Sequence, residues 1–258
     1  MRTAALAIRH RFSDNCTAVK PLDAIFFDID DTLFSTSEFA EHARHAAIAA
    51  MIRAGLRAEH DDAMRELSEV IAEFSSNYGN HYDKVLDRLG PESFAGQNRA
   101  VIVASGVAAY HDTKWRELRA HPEVPEVLGW LAGTKLVRGV VSAGITIKQA
   151  EKLVRLGVLE LLTPSAIYFT DQVGFSKPNP RLYRRVLRSQ GLKPERCMYV
   201  GDNPTHDIDP CNREGWHTVR VRRSGRYSKE EGATRPHYEI REFRELRDLL
   251  ERDFELPR

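Results

Sequence analysis

An apolar run that ends in paired acids constrains this chain more than any other stretch. Leu22-Asp23-Ala24-Ile25-Phe26-Phe27 leads directly into Asp28-Ile29-Asp30-Asp31-Thr32-Leu33. The β-branched and aromatic content of the run predicts a short buried strand. A strand that is apolar to its last residue and then acidic delivers its carboxylates to the carboxyl edge of a parallel sheet, where open α/β folds hold ligands. Neighbouring carboxylates raise each other's pKa, and a hard cation such as Mg²⁺, which takes oxygen ligands, keeps them ionised. Taken alone, the stretch also fits an acidic turn after a strand.

Beyond Leu33 the apolar periodicity changes from two to 3.6 for about ninety residues. Phe39, Ala43, Ala46, Ala47, Ala50 and Met51 mark a helix that stops near Gly55, and Met64, Leu67, Val70, Ile71 and Phe74 mark a second. Tyr82, Val85, Leu86 and Leu89 mark a third that ends at Gly90-Pro91. Val101, Ala104, Ala108, Trp115 and Leu118 mark a long fourth helix. From Pro122 onward strands and helices alternate, with strands expected at 136–141, 166–169, 197–200 and 217–221. A helix is expected from Thr205 to Glu214 and a charged terminal helix from Phe243 to Phe254. Repeated βα units predict an α/β fold, a doubly wound Rossmann-like parallel sheet. The helical bundle, residues 35–122, is then a cap inserted into a core built from residues 21–34 and 123–258. Residues 1–20, with Arg2, Arg9 and Arg11 against Asp14, read as an N-terminal extension without fixed structure, and their apolar piece is too short for a secretory leader.

At 258 residues and 42% hydrophobic content the chain can bury a substantial core. Its net charge of +1 gives no global field to attract nucleic acid or a membrane surface. Cys16, Cys197 and Cys211 form no CxxC pair and fit free thiols in a reducing, cytoplasmic setting. No run approaches the length of a membrane span. Arg220, Arg222, Arg223 and Arg226 read as a solvated basic loop.

Three further features fall at the carboxyl ends of the later strands. Ser142-Ala143-Gly144 ends one strand and opens a helix, presenting a hydroxyl and successive N–H groups suited to a phosphate, although a serine N-cap looks the same in sequence. Lys177 stands before Pro178 and Pro180, just ahead of a helix, where it would neutralise an anion. Gly201-Asp202 with Asp207 returns two more carboxylates to the same sheet edge. In order and separation, Asp28-x-Asp30-x-Thr32, Ser142, Lys177 and Gly201-Asp202 with Asp207 resemble the four-motif signature of the haloacid dehalogenase-like (HAD) hydrolases. The insert resembles the helical cap of the phosphoglycolate phosphatase-like subfamily. Ser76-Asn77-Tyr78 with His81-Tyr82-Asp83, Tyr110-His111-Asp112-Thr113-Lys114, and Lys148-Gln149-Ala150-Glu151-Lys152-Leu153 resemble its glyceraldehyde-3-phosphate phosphatase-like branch.

That resemblance implies a Mg²⁺-dependent phosphomonoester hydrolase working through an aspartyl-phosphate on a small phosphorylated metabolite. Asp28 is then the nucleophile, and Asp30 the acid that protonates the leaving alkoxide and later activates water. Mg²⁺ is expected on Asp28, the Asp30 backbone carbonyl and Asp202. Asp207 either joins it through a water or positions Lys177. Thr32, Ser142, Ala143, Gly144 and Lys177 are expected around the phosphoryl group, with Ala143 standing where relatives often carry Asn or Asp. A phosphomutase and a non-catalytic phosphate-binding protein fit the same fold. A dehalogenase has no use for Asp30, because a departing halide needs no proton. Phe34, His42, Tyr78, His81, His111 and Lys114 are expected over the site, and the sequence does not name the substrate.

Overall fold

The computed structural model describes residues 20–256 apart from Asn77, Ser224 and Glu255. The expected N-terminal extension therefore lies, but for Lys20, outside the described residues. Six strands make one parallel sheet in the order β3-β2-β1-β4-β5-β6. They are β1 (Ala24–Phe27), β2 (Val137–Ser142), β3 (Ile167–Phe169), β4 (Cys197–Gly201), β5 (His217–Val221) and β6 (Tyr238–Ile240). Winding reverses at β1, which pairs with β2 on one side and β4 on the other. That reversal opens a crevice beyond the carboxyl ends of the central strands.

β1 reads as a continuous apolar run because helices cover both faces of the sheet. Ile25 and Phe27 pack with Val124, Leu128, Phe243 and Leu246, whereas Ala24 and Phe26 pack on the other face with Tyr183, Tyr199 and Trp216. Four helices are inserted between β1 and β2: α1 (Thr36–Arg53), α2 (His60–Phe74), α3 (His81–Leu89) and α4 (Arg99–Glu117). They enclose a smaller core of their own, centred on Ile48, Met51, Leu67, Val70, Leu86 and Ile102. The chain leaves and re-enters the α/β layer at one point, where His121 N–H donates to the Leu33 carbonyl at 3.0 Å. Then follow α5 (Glu123–Ala132), α6 (Thr146–Leu156), α7 (Thr170–Val173), α8 (Pro180–Gln190), α9 (Asp209–Arg213) and α10 (Phe243–Asp253).

Four local expectations are corrected. Of the stripe expected in α4, Val101, Ala104, Ala108 and Trp115 face solvent, with Val101 56% and Trp115 67% exposed, and only Leu118 is buried, whereas Ile102, Gly106, Thr113 and Lys114 are covered. An alanine-rich helix shows a weak apolar stripe, so packing against α1 sets its rotation. The helix expected from Thr205 begins as a π-helical turn, Pro204–Ile208, before α9. Arg220 is not a solvated residue: only 1% exposed, it donates to the Tyr227 and Glu230 carbonyls at 2.8 and 2.6 Å and pairs with Glu231. Arg222 pairs with Glu231 and Glu239, and Arg223 with Glu123, which leaves only Arg226 of that run exposed. Finally, β6 and α7 are elements that the apolar pattern of the sequence did not mark, each only three or four residues long.

Candidate active site

The parallel register brings four loops to one spot. Phe27 stands beside Val140 of β2 and Val200 of β4, so Asp28, Ser142 and Asp202 all emerge at the same level of the sheet. Asp28 N–H continues the β4 pairing by donating to the Val200 carbonyl at 2.9 Å, which fixes the backbone that carries the carboxylate. Lys177, from the loop before α8, places its ammonium 2.7 Å from Asp28 Oδ1 and 2.7 Å from Asp207 Oδ1. The same ammonium lies 5.3 Å from the centre of the Tyr199 ring, and Tyr199 is held from below by its hydroxyl donating to the Val141 carbonyl.

Asp207 is 1% exposed and accepts the Asn203 N–H on its other oxygen at 3.1 Å. It comes this close only because residue 201 is glycine, since a Cβ there would meet Asp207 Oδ2 at 2.4 Å. The Gly-Asp pair ahead of Asp207 thus has a steric reason: a bare backbone lets the carboxylate fold back under the strand end. Its direct contact with Lys177 fits the expectation that it positions that lysine.

One oxygen each from Asp28, Asp202 and Asp207 lies within 4.8 Å of the others. Three buried carboxylates share one lysine, so negative charge is in excess. Burial, outweighing the Lys177 attraction and assisted by Asp207 and Asp30, pushes Asp28 up to about 6. Burial, with repulsion from Asp207, Asp28 and Asp31, pushes Asp202 up to about 9. Burial alone would lower Lys177, but Asp207 and Asp28 hold it above its usual value. A divalent cation taking oxygen ligands would relieve this excess, and the donor set fits a hard ion.

Two buried hydroxyls, Thr32 Oγ1 and Ser142 Oγ, have no hydrogen-bond partner among the described residues. A buried hydroxyl without a partner costs free energy unless a ligand supplies one, and a phosphoryl oxygen would. The Gly144 N–H donates to Thr170 Oγ1 at 3.2 Å. Asp30 sits further out and is held from several directions. Its oxygens accept from Lys152 Nζ at 2.5 and 2.7 Å, Gln149 Nε2 at 3.1 Å and Thr36 Oγ1 at 2.9 Å. Neither Gln149 nor Lys152 had a chemical role in the sequence, although their i,i+3 spacing on one helix face signalled a shared target.

Of the cap residues expected over the site, Lys114 lies at the boundary with the core, 2.6 Å from Glu151 of α6. Phe34 is buried in the main core. His42 pairs with Glu117 at 3.2 Å, His111 is exposed beside Tyr110, and Tyr78 stacks on Phe74 and meets the His81 ring edge-on.

Residues 22–215 match the family model described as haloacid dehalogenase-like hydrolase. A glyceraldehyde 3-phosphate phosphatase of Methanopyrus kandleri is 39% identical over 89% of this chain and 97% of its own. Another, of Methanocaldococcus jannaschii, is 35% identical over 89% and 97%. Among solved structures, a β-phosphoglucomutase-like protein of Thermotoga maritima covers 90% of this chain and 100% of its own with a TM-score of 0.66 at 19% identity, a likeness of fold alone.

Proposed function

The chain belongs to the haloacid dehalogenase-like hydrolase family and is a phosphatase, and on that premise we propose that it is a Mg²⁺-dependent phosphomonoesterase working through an aspartyl-phosphate. The observation that carries this reading is the buried cluster in which Lys177 bridges Asp28 and Asp207 beside Asp202, with Asp30 two residues from the proposed nucleophile. Asp28 attacks phosphorus, the bond from phosphorus to the ester oxygen breaks, and Asp30 gives that oxygen its proton. In the second half Asp30 takes a proton from water, the water oxygen attacks phosphorus, and the bond to Asp28 breaks to release phosphate. Lys177, Thr32 and Ser142 hold the phosphoryl oxygens. When bound to Asp28 and Asp202, Mg²⁺ supplies charge neutralisation between nucleophile and phosphoryl group. The acid/base role of Asp30 favours ester hydrolysis over dehalogenation.

For substrate we propose a small phosphorylated aldehyde, glyceraldehyde 3-phosphate being the first to test because it is the one that the relatives are named for. The test is a panel of phosphorylated metabolites that also includes phosphoglycolate, phosphoserine and nucleoside monophosphates, assayed with wild-type and Asp28→Asn protein. The expected result is highest kcat/KM on glyceraldehyde 3-phosphate and a loss of roughly 10³-fold or more in Asp28→Asn, because elements of such a site act as a unit. Preference for another ester would overturn the substrate, and an active Asp28→Asn enzyme would overturn the nucleophile.

A further inference from the structure

We propose that Lys152, assisted by Gln149, is the positioning residue for Asp30, and that α6 links this grip to the inserted helices. The proposal rests on the acid/base reading of Asp30 given above. Asp30 lies in the turn after β1, where an isolated β-bridge to Phe34 pairs its backbone and leaves its side chain to be held by other groups. An acid that must reach a leaving oxygen needs its carboxylate held within a few tenths of an ångström, and misplacement by about 1 Å is costly. The Lys152 ammonium contacts both Asp30 oxygens, at 2.5 and 2.7 Å, which orients the carboxylate and draws it toward α6. Gln149, one turn earlier and 5% exposed, shares its amide nitrogen between Asp30 at 3.1 Å and the Ala143 carbonyl at 2.9 Å. That amide ties the acid to the loop that follows Ser142. It occupies the place that a Cβ on residue 144 would need, since such an atom would lie 2.7 Å from Gln149 Nε2.

The neighbouring residue on α6 faces the insert instead. Glu151 accepts from Lys114 of α4 at 2.6 Å and from Arg155 at 2.6 Å, and the Arg155 guanidinium lies 4.3 Å over the Trp115 ring. One helix therefore holds the proposed acid with Gln149 and Lys152, and the end of the cap with Glu151 and Arg155. An ordinary exposed ion pair would be worth little. Here Lys152 is mostly covered, with 17% of its side chain exposed, and both oxygens of its partner are engaged.

Leaving-group dependence tests the proposal. Lys152→Met is expected to lower kcat on an alkyl phosphate by roughly 10- to 10²-fold, a part of the 10²–10⁴-fold that a positioned acid contributes. With p-nitrophenyl phosphate, whose phenolate departs without a proton, the loss should be several-fold smaller. In an Asp30→Asn background the same substitution should cost nothing more, because two residues that act through one group are not additive. Equal losses on both esters, or an undiminished second loss in the Asp30→Asn background, would overturn the role of Lys152; the second result also detects a variant that is merely misfolded. If Asp30→Asn itself shows no leaving-group dependence, the acid/base reading fails, and the positioning role falls with it for that distinguishable reason.

Discussion

The α/β core and the inserted helices use charge in opposite ways. In the core, Asp28, Lys177, Asp202, Asp207 and Arg220 are all buried, and Asp28, Lys177, Asp207 and Arg220 each have named partners. In the insert, charges pair across the surface: Arg88 of α3 reaches Glu66, Glu69 and Glu73 of α2, and Arg99 reaches Asp83 and Asp87. Burying charge is expensive, so a fold does it where chemistry needs a strong local field. Exposed pairs contribute little and are easily replaced. The core is thus built around a buried cluster of charged groups, whereas the insert is a packed bundle whose surface can vary. Lys114 is the exception, a cap lysine that is buried because it meets Glu151 of the core.

The largest effect that would separate the two regions is expected from Lys177→Met. Removing this cation leaves Asp28 and Asp207 buried without their partner, at a cost of about 3–5 kcal/mol, together with loss of turnover. Urea denaturation measures the stability, and a midpoint unchanged from wild type would show that the buried triad is not a strained ionic cluster.

A smaller effect concerns the metal and has a definite sign. Asp28 and Asp202 are raised from 3.8 to about 6 and about 9, so in metal-free protein their contribution to stability is present at acid pH. It is lost as pH rises through about 6 and then about 9. A cation favours the ionised forms and displaces protons. The melting temperature of EDTA-treated protein should therefore fall between pH 6 and 9. Mg²⁺ at a hundredfold excess over its Kd should restore about 2.7 kcal/mol, with that Kd tightening toward alkaline pH. Calorimetry showing the same Mg²⁺ affinity at both pH values would place the ion elsewhere.

The smallest effect is expected in the insert. Arg88→Ala removes three surface contacts and should cost no more than about 1 kcal/mol, with kcat unchanged. A loss comparable with that of Lys177→Met would erase the contrast between the regions.

Much of the candidate site was legible because its motifs are short and local. The apolar run ending in Asp28 needs only six residues to declare a central strand, and Gly201 with Asp207 needs seven to declare a turn that returns a carboxylate. The helices of the insert were legible in number and extent for the same reason, since periodicity of 3.6 is a property of neighbours. Their rotation was not: α4 turned its expected stripe outward because the choice of buried face depends on α1, about fifty residues earlier in the chain.

By itself, the sequence determined the parallel α/β order, the place of the insertion and the identity of the acids and lysine at the sheet edge. These follow from local spacing and from the rule that apolar strands end at the ligand-binding edge. Only the tertiary structure decided which partners those groups have. Asp28 meets Lys177 across 149 residues, Asp30 meets Lys152 across 122, and Arg220 is buried by carbonyls of a loop that looked solvated. Such contacts leave no periodic trace, because a charged side chain follows the position of its partner in space and not the pattern of its own element.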